Sequence, residues 1–181
     1  RESWLQAAVT ELRPLFKGAG FDIPEIHVSV GWPSSGGLGT AKRVIGQCWC
    51  GTTSEDKKPH IFISPMLDEK GQPQDALPTL VHELVHVVVG TEAKHGPKFK
   101  KAMEKVFLEG KPTATQASET LLERLKAIPD PLQARGLPPV VLGGEADHPP
   151  RTDEISCCEE LPKGRSVGVL AAEAEARQLP F

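Results

Sequence analysis

Apolar residues recur every three or four positions in several stretches of the chain, which is typical of helices buried on one side. The first stretch covers residues 3–17, with Ser3 as a candidate N-cap and Gly18 as a stop. Pro14 argues against an undistorted helix to its end. Two further helices are expected, one over residues 118–128 and one opened by Pro97, with an inward face of Phe99, Met103, Val106 and Phe107.

Apolar and polar residues alternate elsewhere, which predicts strands rather than helices. Residues 26–30 alternate in this way and predict a half-buried strand. Residues 44–50 and 60–64 predict two more strands. The polar segment 51–59 lies between these two and could join them as a hairpin.

The most apolar stretch of the chain, residues 80–89, is interrupted only by His82, Glu83 and His86. A helix that is apolar nearly all round is a buried helix. We expect it to start near Asp75, a good N-cap, and to end at Gly90. Its four valines would also suit a strand, so the helix prediction depends partly on the motif. Three buried ionisable side chains are costly unless something satisfies them, and a bound cation does so.

The segment His82-Glu83-Leu84-Val85-His86 places two imidazoles about 40° apart around a helix axis, so both can reach one metal ion. Zinc in hydrolytic sites takes three protein ligands and leaves a fourth position for water. His95 is the best candidate for the third ligand, because a chain that turns at Gly90 can fold back. Glu83 would take a proton from the zinc-activated water and pass it to a leaving amine. This is metal-assisted amide hydrolysis with one Zn²⁺ per chain.

Other arrangements of ligands stay open. One longer zinc motif needs Gly and His three and six residues after His86, where this chain has Val89 and Glu92. A structural zinc site is usually closed by four ligands and rich in Cys, which fits this motif less well. The remaining candidate ligands are a downstream carboxylate, Glu104 or Glu109, and, for a deformylase-like site, Cys48 or Cys50.

The chain contains no tyrosine. A tyrosine hydroxyl is therefore excluded as the group that stabilises the oxyanion of an amide-hydrolysis intermediate. The metal itself, a backbone N–H, Arg43 or His60 would have to take this role.

Composition and charge narrow the class of protein. A chain of 181 residues with 39% hydrophobic and 25% charged residues fits one globular domain plus a tail. No apolar run reaches the length of a membrane span, and no signal peptide is visible. Four cysteines without an export signal predict reduced thiols and a cytoplasmic protein.

The net charge of −3 argues against a general nucleic-acid binder, but the charge is uneven. Residues 92–111 hold six lysines and three glutamates, a local charge of +3. This segment predicts either a solvated helix face or a weak phosphate-contacting patch beside the site. The candidate contacts are Lys94, Lys98, Lys100, Lys101 and Lys105.

The composition of the chain changes after Pro129, where prolines and glycines become frequent. We therefore divide the chain into a domain at residues 1–128 and a Pro/Gly-rich linker and tail at 129–181, partly disordered. Within the tail, residues 166–179 could form a short helix.

The HExxH motif, followed by His95-Gly96-Pro97-Lys98-Phe99, resembles the SprT-like metallopeptidase family, relatives of the Spartan proteases that cleave proteins crosslinked to DNA. The segments 61–65 and 108–115 are similar to phage and bacterial members, and the likeness spans about residues 24–128. The resemblance implies a small α+β zincin-like fold, with helices packed on a short mixed sheet. It also implies that His82, His86 and His95 bind zinc and that Glu83 is the catalytic acid.

The tail departs from the many relatives that add a Cys-rich zinc ribbon, since it has only Cys157 and Cys158. The lysines of residues 94–111 are the remaining candidates for DNA contact. Three functions are therefore compared: a zinc-dependent peptidase acting on proteins, some of them DNA-associated; a non-catalytic binding module that keeps the zinc fold; and a deformylase-like amidohydrolase.

Overall fold

The computed structural model describes residues 2–34, 44–65 and 76–128 of the chain. Four helices lie in these ranges: α1 (Glu2–Gly18), α2 (Ala76–Val89), α3 (Pro97–Lys105) and α4 (Glu119–Lys126). Five strands accompany them: β1 (His27–Val30), β2 (Gly46–Trp49), β3 (His60–Ile63), β4 (Leu108–Lys111) and β5 (Ala114–Ala117). The α+β class implied by the resemblance is confirmed.

The larger sheet has three strands in the order β1-β3-β2. The central strand β3 is parallel to β1 and antiparallel to β2, so the sheet is mixed. The three predicted strands are therefore confirmed, and so is the antiparallel pairing expected across 51–59. Alternation sends Val28, Ile61 and Cys48 to one buried face of the sheet, because they are partners in the register.

Helix α2 packs on this sheet and forms the centre of the core. Leu77, Leu80, Val81, Leu84 and Val85 are all fully buried. The helix ends at Gly90, which adopts φ 88°, a conformation that glycine takes at no steric cost. The valines at its end are partly buried against the core, and this packing outweighs their own preference for strands.

Two helix boundaries differ from the predictions. Helix α1 begins at Glu2, so Ser3 lies in its first turn and not at the cap, and the helix continues through Pro14 to Gly18. Helix α3 ends at Lys105, and Phe107 follows it with φ 64° in a partly buried position. The inward face predicted for Phe99, Met103 and Val106 is confirmed, while the assignment of Phe107 to that helix is wrong.

The hairpin of β4 and β5 was not predicted from the sequence. Its strands are antiparallel and are joined by Pro112 and Thr113. Of its eight strand residues only Leu108 and Thr115 are buried, so the period-two pattern of apolar residues is missing. The hairpin connects α3 to α4 and packs against α2.

Several predictions concern residues outside the described ranges. They are the N-cap at Asp75, the oxyanion role of Arg43, and the linker, tail and short helix of residues 129–181. Within the described part of the chain, no helix is long and apolar enough to span a bilayer.

The start of α4 offers a test of the fold. The Ser118 hydroxyl caps this helix by accepting the Leu121 backbone N–H at 3.3 Å. We expect Ser118→Ala to lower the free energy of unfolding by about 1 kcal/mol, because that N–H loses its partner. Urea denaturation followed by circular dichroism measures the change. Ser118→Asp, which keeps a capping oxygen, should stay close to wild type; equal losses in both variants would contradict the capping role.

Candidate metal centre

Helix α2 carries three polar side chains into the core. His82, Glu83 and His86 are each 0% exposed. Residues one and four apart lie about 100° and 40° around a helix, so the two histidines share a face and Glu83 points to its side. The surrounding leucines and valines bury this helix, so the side chains of the motif are buried as well.

The chain segment after α2 brings His95 back to the same helix. Gly90 turns the backbone, a 3-10 turn follows at Thr91–Ala93, and Lys94 adopts φ 45°, which non-glycine residues seldom adopt. Pro97 then begins α3, as Pro does in the first turn of many helices. The turn predicted at Gly90 therefore returns His95 to α2.

The three histidines converge through the same ring nitrogen. The Nε2 atom of His95 lies 3.3 Å from Nε2 of His82 and 3.3 Å from Nε2 of His86. In a tetrahedral site with zinc–nitrogen bonds of about 2.0–2.1 Å, two ligand nitrogens lie about 3.3–3.4 Å apart. The three ligand atoms lie within 4.8 Å of one another, so this group could hold a metal ion.

The protonation state of the cluster also fits a metal. Burial lowers the pKa of His82 well below 6.5, and the neighbouring histidines lower it further. Burial lowers the pKa of His86 to about 3, with a smaller contribution from His95. Burial lowers the pKa of His95 as well. The imidazoles are therefore neutral at pH 7, which is the form that binds metals.

A second ring of contacts surrounds the histidines. Nδ1 of His82 lies 2.8 Å from the Thr115 hydroxyl on β5. For Nδ1 of His86, the described residues offer no hydrogen-bond partner. The fully buried Phe99 ring contacts all three imidazoles, with centroid distances of 4.8, 4.3 and 5.0 Å to His82, His86 and His95. Phe99 thus closes the cluster on one side with an apolar surface.

Glu83 lies between α2 and the edge strand β2. A Cβ atom added to Gly46 would lie 2.5 Å from Oε1 of Glu83 and 2.7 Å from a methyl group of Thr79. Only glycine therefore allows β2 to approach α2 this closely. Gly46 and Thr115 are site residues that sequence reasoning missed. Gly46 stands in a predicted strand, where an isolated glycine signals a close approach, but no sequence signal identifies Thr115.

The structure does not bring the alternative ligands to the cluster. Cys48 is on the core face of β2, and Cys50 is near Thr52 and Thr91. Glu104 and Glu109 are exposed. Among the described residues, the metal-ligand group that includes α2 contains histidines alone.

His60, the other candidate for stabilising an oxyanion, is engaged at the sheet. Its Nε2 lies 2.9 Å from the Ser29 hydroxyl, and its ring stacks on Phe62 at 4.3 Å. Such contacts are typical of a histidine at the start of a strand. They favour a structural role for His60 over the stabilisation of an oxyanion at the cluster.

Comparison with known proteins identifies the family. The model of the SprT-like family matches residues 12–119, more than half of the chain, so the chain belongs to the SprT-like family. This confirms the resemblance recognised from the motifs. The family is associated with zinc metallopeptidase-like proteins. No curated protein matches the chain, and no solved structure matches it.

The lowered histidine pKa values predict how the metal-free protein responds to acid. Below pH 6.5 the unfolded chain takes up protons at these histidines, while folded His86 stays neutral until about pH 3. The stability they contribute is thus present above pH 6.5 and is lost as the pH falls. The loss is at most about 1.4 kcal/mol per pH unit for each histidine.

Denaturation of chelator-treated protein between pH 7.5 and pH 5.5 measures this effect. His86→Gln removes one of the titrating groups and should give a shallower loss. A free energy of unfolding that stays constant or increases on acidification over this range would contradict the prediction.

Proposed function

We propose that this protein is a zinc-dependent metallopeptidase with a zincin-like fold, in which Glu83 acts as general base. One observation carries the proposal: three imidazole Nε2 atoms converge, and the helix that holds two of these histidines also carries the buried carboxylate of Glu83. Catalytic zinc sites use three protein ligands, whereas structural sites usually use four and are rich in Cys. The SprT-like family membership supports the same class.

The described side chains would have separate roles in the reaction. His82, His86 and His95 would hold the ion, and their neutral rings need no deprotonation to do so. A zinc ion held there would supply Lewis acidity for the activation of water. Glu83 accepts a proton from the attacking water and donates it to the nitrogen of the leaving amine. Gly46 keeps strand β2 close to this carboxylate and so restricts where Glu83 lies.

Two alternatives receive less support. A deformylase-like site needs a Cys ligand, and neither Cys48 nor Cys50 is in the cluster. A non-catalytic module would need the metal only for stability, yet α2 and α3 are already joined by a continuous apolar core. A carboxylate buried next to the imidazoles has a clearer role in hydrolysis than in packing, since its burial is costly.

Substitution of Glu83 and His95 tests the proposal. We expect Glu83→Gln to keep one zinc per chain and to lower the rate of casein cleavage by about 10²–10⁴, because the general base is lost. We expect His95→Ala to lose both zinc and activity. Metal analysis and a gel-based proteolysis assay measure these results.

Glu104→Gln is the matched control, because it changes an exposed carboxylate on α3. It should resemble wild type in both assays. Full activity in Glu83→Gln, or full zinc content in His95→Ala, would remove the proposed mechanism.

We also propose that the lysines beside the site contact DNA weakly, so that the peptidase acts on DNA-associated proteins. Lys94, Lys98, Lys100 and Lys101 are exposed on α3 and the segment before it. Lys105 differs, because its ammonium lies 3.4 Å from the Ala19 carbonyl and 5.4 Å from the Phe21 ring centroid. It is drawn toward α1 and has less reach for a phosphate.

The dependence of binding on salt tests this surface. Replacing Lys98 and Lys101 by Gln should weaken single-stranded DNA binding and reduce the slope of log K against log salt by about 0.7 for each phosphate that the protein no longer neutralises. Fluorescence anisotropy over a salt series measures the slope. Lys126→Gln, on α4, should leave it unchanged. An unchanged slope in the double variant would exclude these lysines as a DNA-binding patch.

A further inference from the structure

One hydroxyl outside the motif helix reaches a proposed metal ligand. Thr115, in the second strand of the β4–β5 hairpin, places its Oγ1 atom 2.8 Å from Nδ1 of His82. The two residues are 33 positions apart in sequence, and both are buried, with exposures of 8% and 0%. Water therefore has little access to replace this hydrogen bond.

The hydrogen bond is compatible with the tautomer of His82 that binds a metal through Nε2. A neutral imidazole carries its proton on one of two nitrogens, and the other nitrogen is a lone-pair acceptor. When Nδ1–H donates to the Thr115 hydroxyl, Nε2 is left with its lone pair. That Nε2 is the atom facing His95 at 3.3 Å. The contact thus turns the metal-binding nitrogen toward the cluster and holds the ring in that orientation.

The hairpin is anchored well enough to hold this hydroxyl in place. Thr115 pairs with Gly110 in the ladder, and Leu108 at the start of β4 is almost fully buried. At the same open end of the hairpin, the Ser118 backbone N–H donates to the Phe107 carbonyl at 3.0 Å. The hairpin is therefore held at its base, next to the strand that carries Thr115.

We propose that Thr115 is a positioning residue that fixes the orientation of the His82 ring and thereby sets the metal affinity of the cluster. The proposal rests on the proposed function, since it assumes a metal at the three histidines. It extends that function by assigning the β4–β5 hairpin a role in the site. Removal of such a hydrogen bond to a ligating histidine typically weakens metal binding by about 10–100-fold.

Zinc affinity of the full chain tests the assignment, measured by competition with a chromogenic chelator at pH 7.5. We expect Thr115→Val, which keeps the shape and removes the hydroxyl, to bind zinc about 10–100-fold more weakly. Thr115→Ser keeps the hydroxyl and should recover most of the affinity. Thr113→Val makes the same change at the turn of the same hairpin and should match wild type.

A second readout separates orientation of the ligand from simple destabilisation. The visible absorption of the cobalt-substituted protein reports the ligand geometry directly, and we expect it to change in Thr115→Val and to be restored in Thr115→Ser. If Thr115→Val does not fold, Thr115→Ala is measured in the same assays. Wild-type affinity and spectrum in the variant without the hydroxyl would overturn the role of Thr115.

The outcomes distinguish this proposal from the proposed function. If wild type binds zinc and loses activity in Glu83→Gln, but Thr115→Val binds zinc normally, only the positioning role fails. If the serine variant loses as much affinity as the valine variant, the hydroxyl is not the cause and the positioning role again fails. If wild type binds no zinc, both proposals fail together.

Discussion

The burial of three imidazoles and a carboxylate around α2 is the constraint on which the rest of the structure depends. Taking such groups out of water is costly unless each finds a partner. A cation shared by the three nitrogens would satisfy the imidazoles together. Burial also keeps the histidines neutral, so the same environment that makes them expensive prepares them to bind a metal. A metal that binds these histidines would therefore also stabilise the fold.

Several elements contribute contacts to this centre. Helix α2 supplies two of the three histidines and the carboxylate, the turn after Gly90 returns His95, and α3 supplies the Phe99 ring that packs against all three imidazoles. Strand β2 approaches through Gly46, and the β4–β5 hairpin reaches His82 through Thr115. The motif of the SprT-like family thus has a physical explanation: its final aromatic residue lies against the ligands that precede it.

The residues around the site are divided between buried or half-buried histidines and exposed lysines. The ligands are packed in or against the core, where rotamers are restricted and small displacements are costly. The lysines next to His95 and along α3 remain exposed, while Phe99 of the same helix is buried against the imidazoles. The lysines and Phe99 thus occupy different faces of one short helix.

The amino-acid sequence by itself determined the elements with strong local patterns and the identity of the metal-ligand candidates. The apolar stripe of α1, the alternation of β1 and the HExxH spacing are properties of neighbouring residues, so they are readable without a fold. His95 was identified as the best third ligand for the same reason, because Gly90 signals a turn between two helices. Its convergence with His82 and His86 needed the structure.

Only the tertiary structure decided which distant residues support the site. The β4–β5 hairpin lacks an alternating pattern because just two of its strand residues face the core, and Thr115 reaches His82 across 33 positions of sequence. Gly46 and the exclusion of Cys48 and Cys50 from the cluster also depend on how β2 lies against α2. Such contacts arise from packing between elements, and no local periodicity records them.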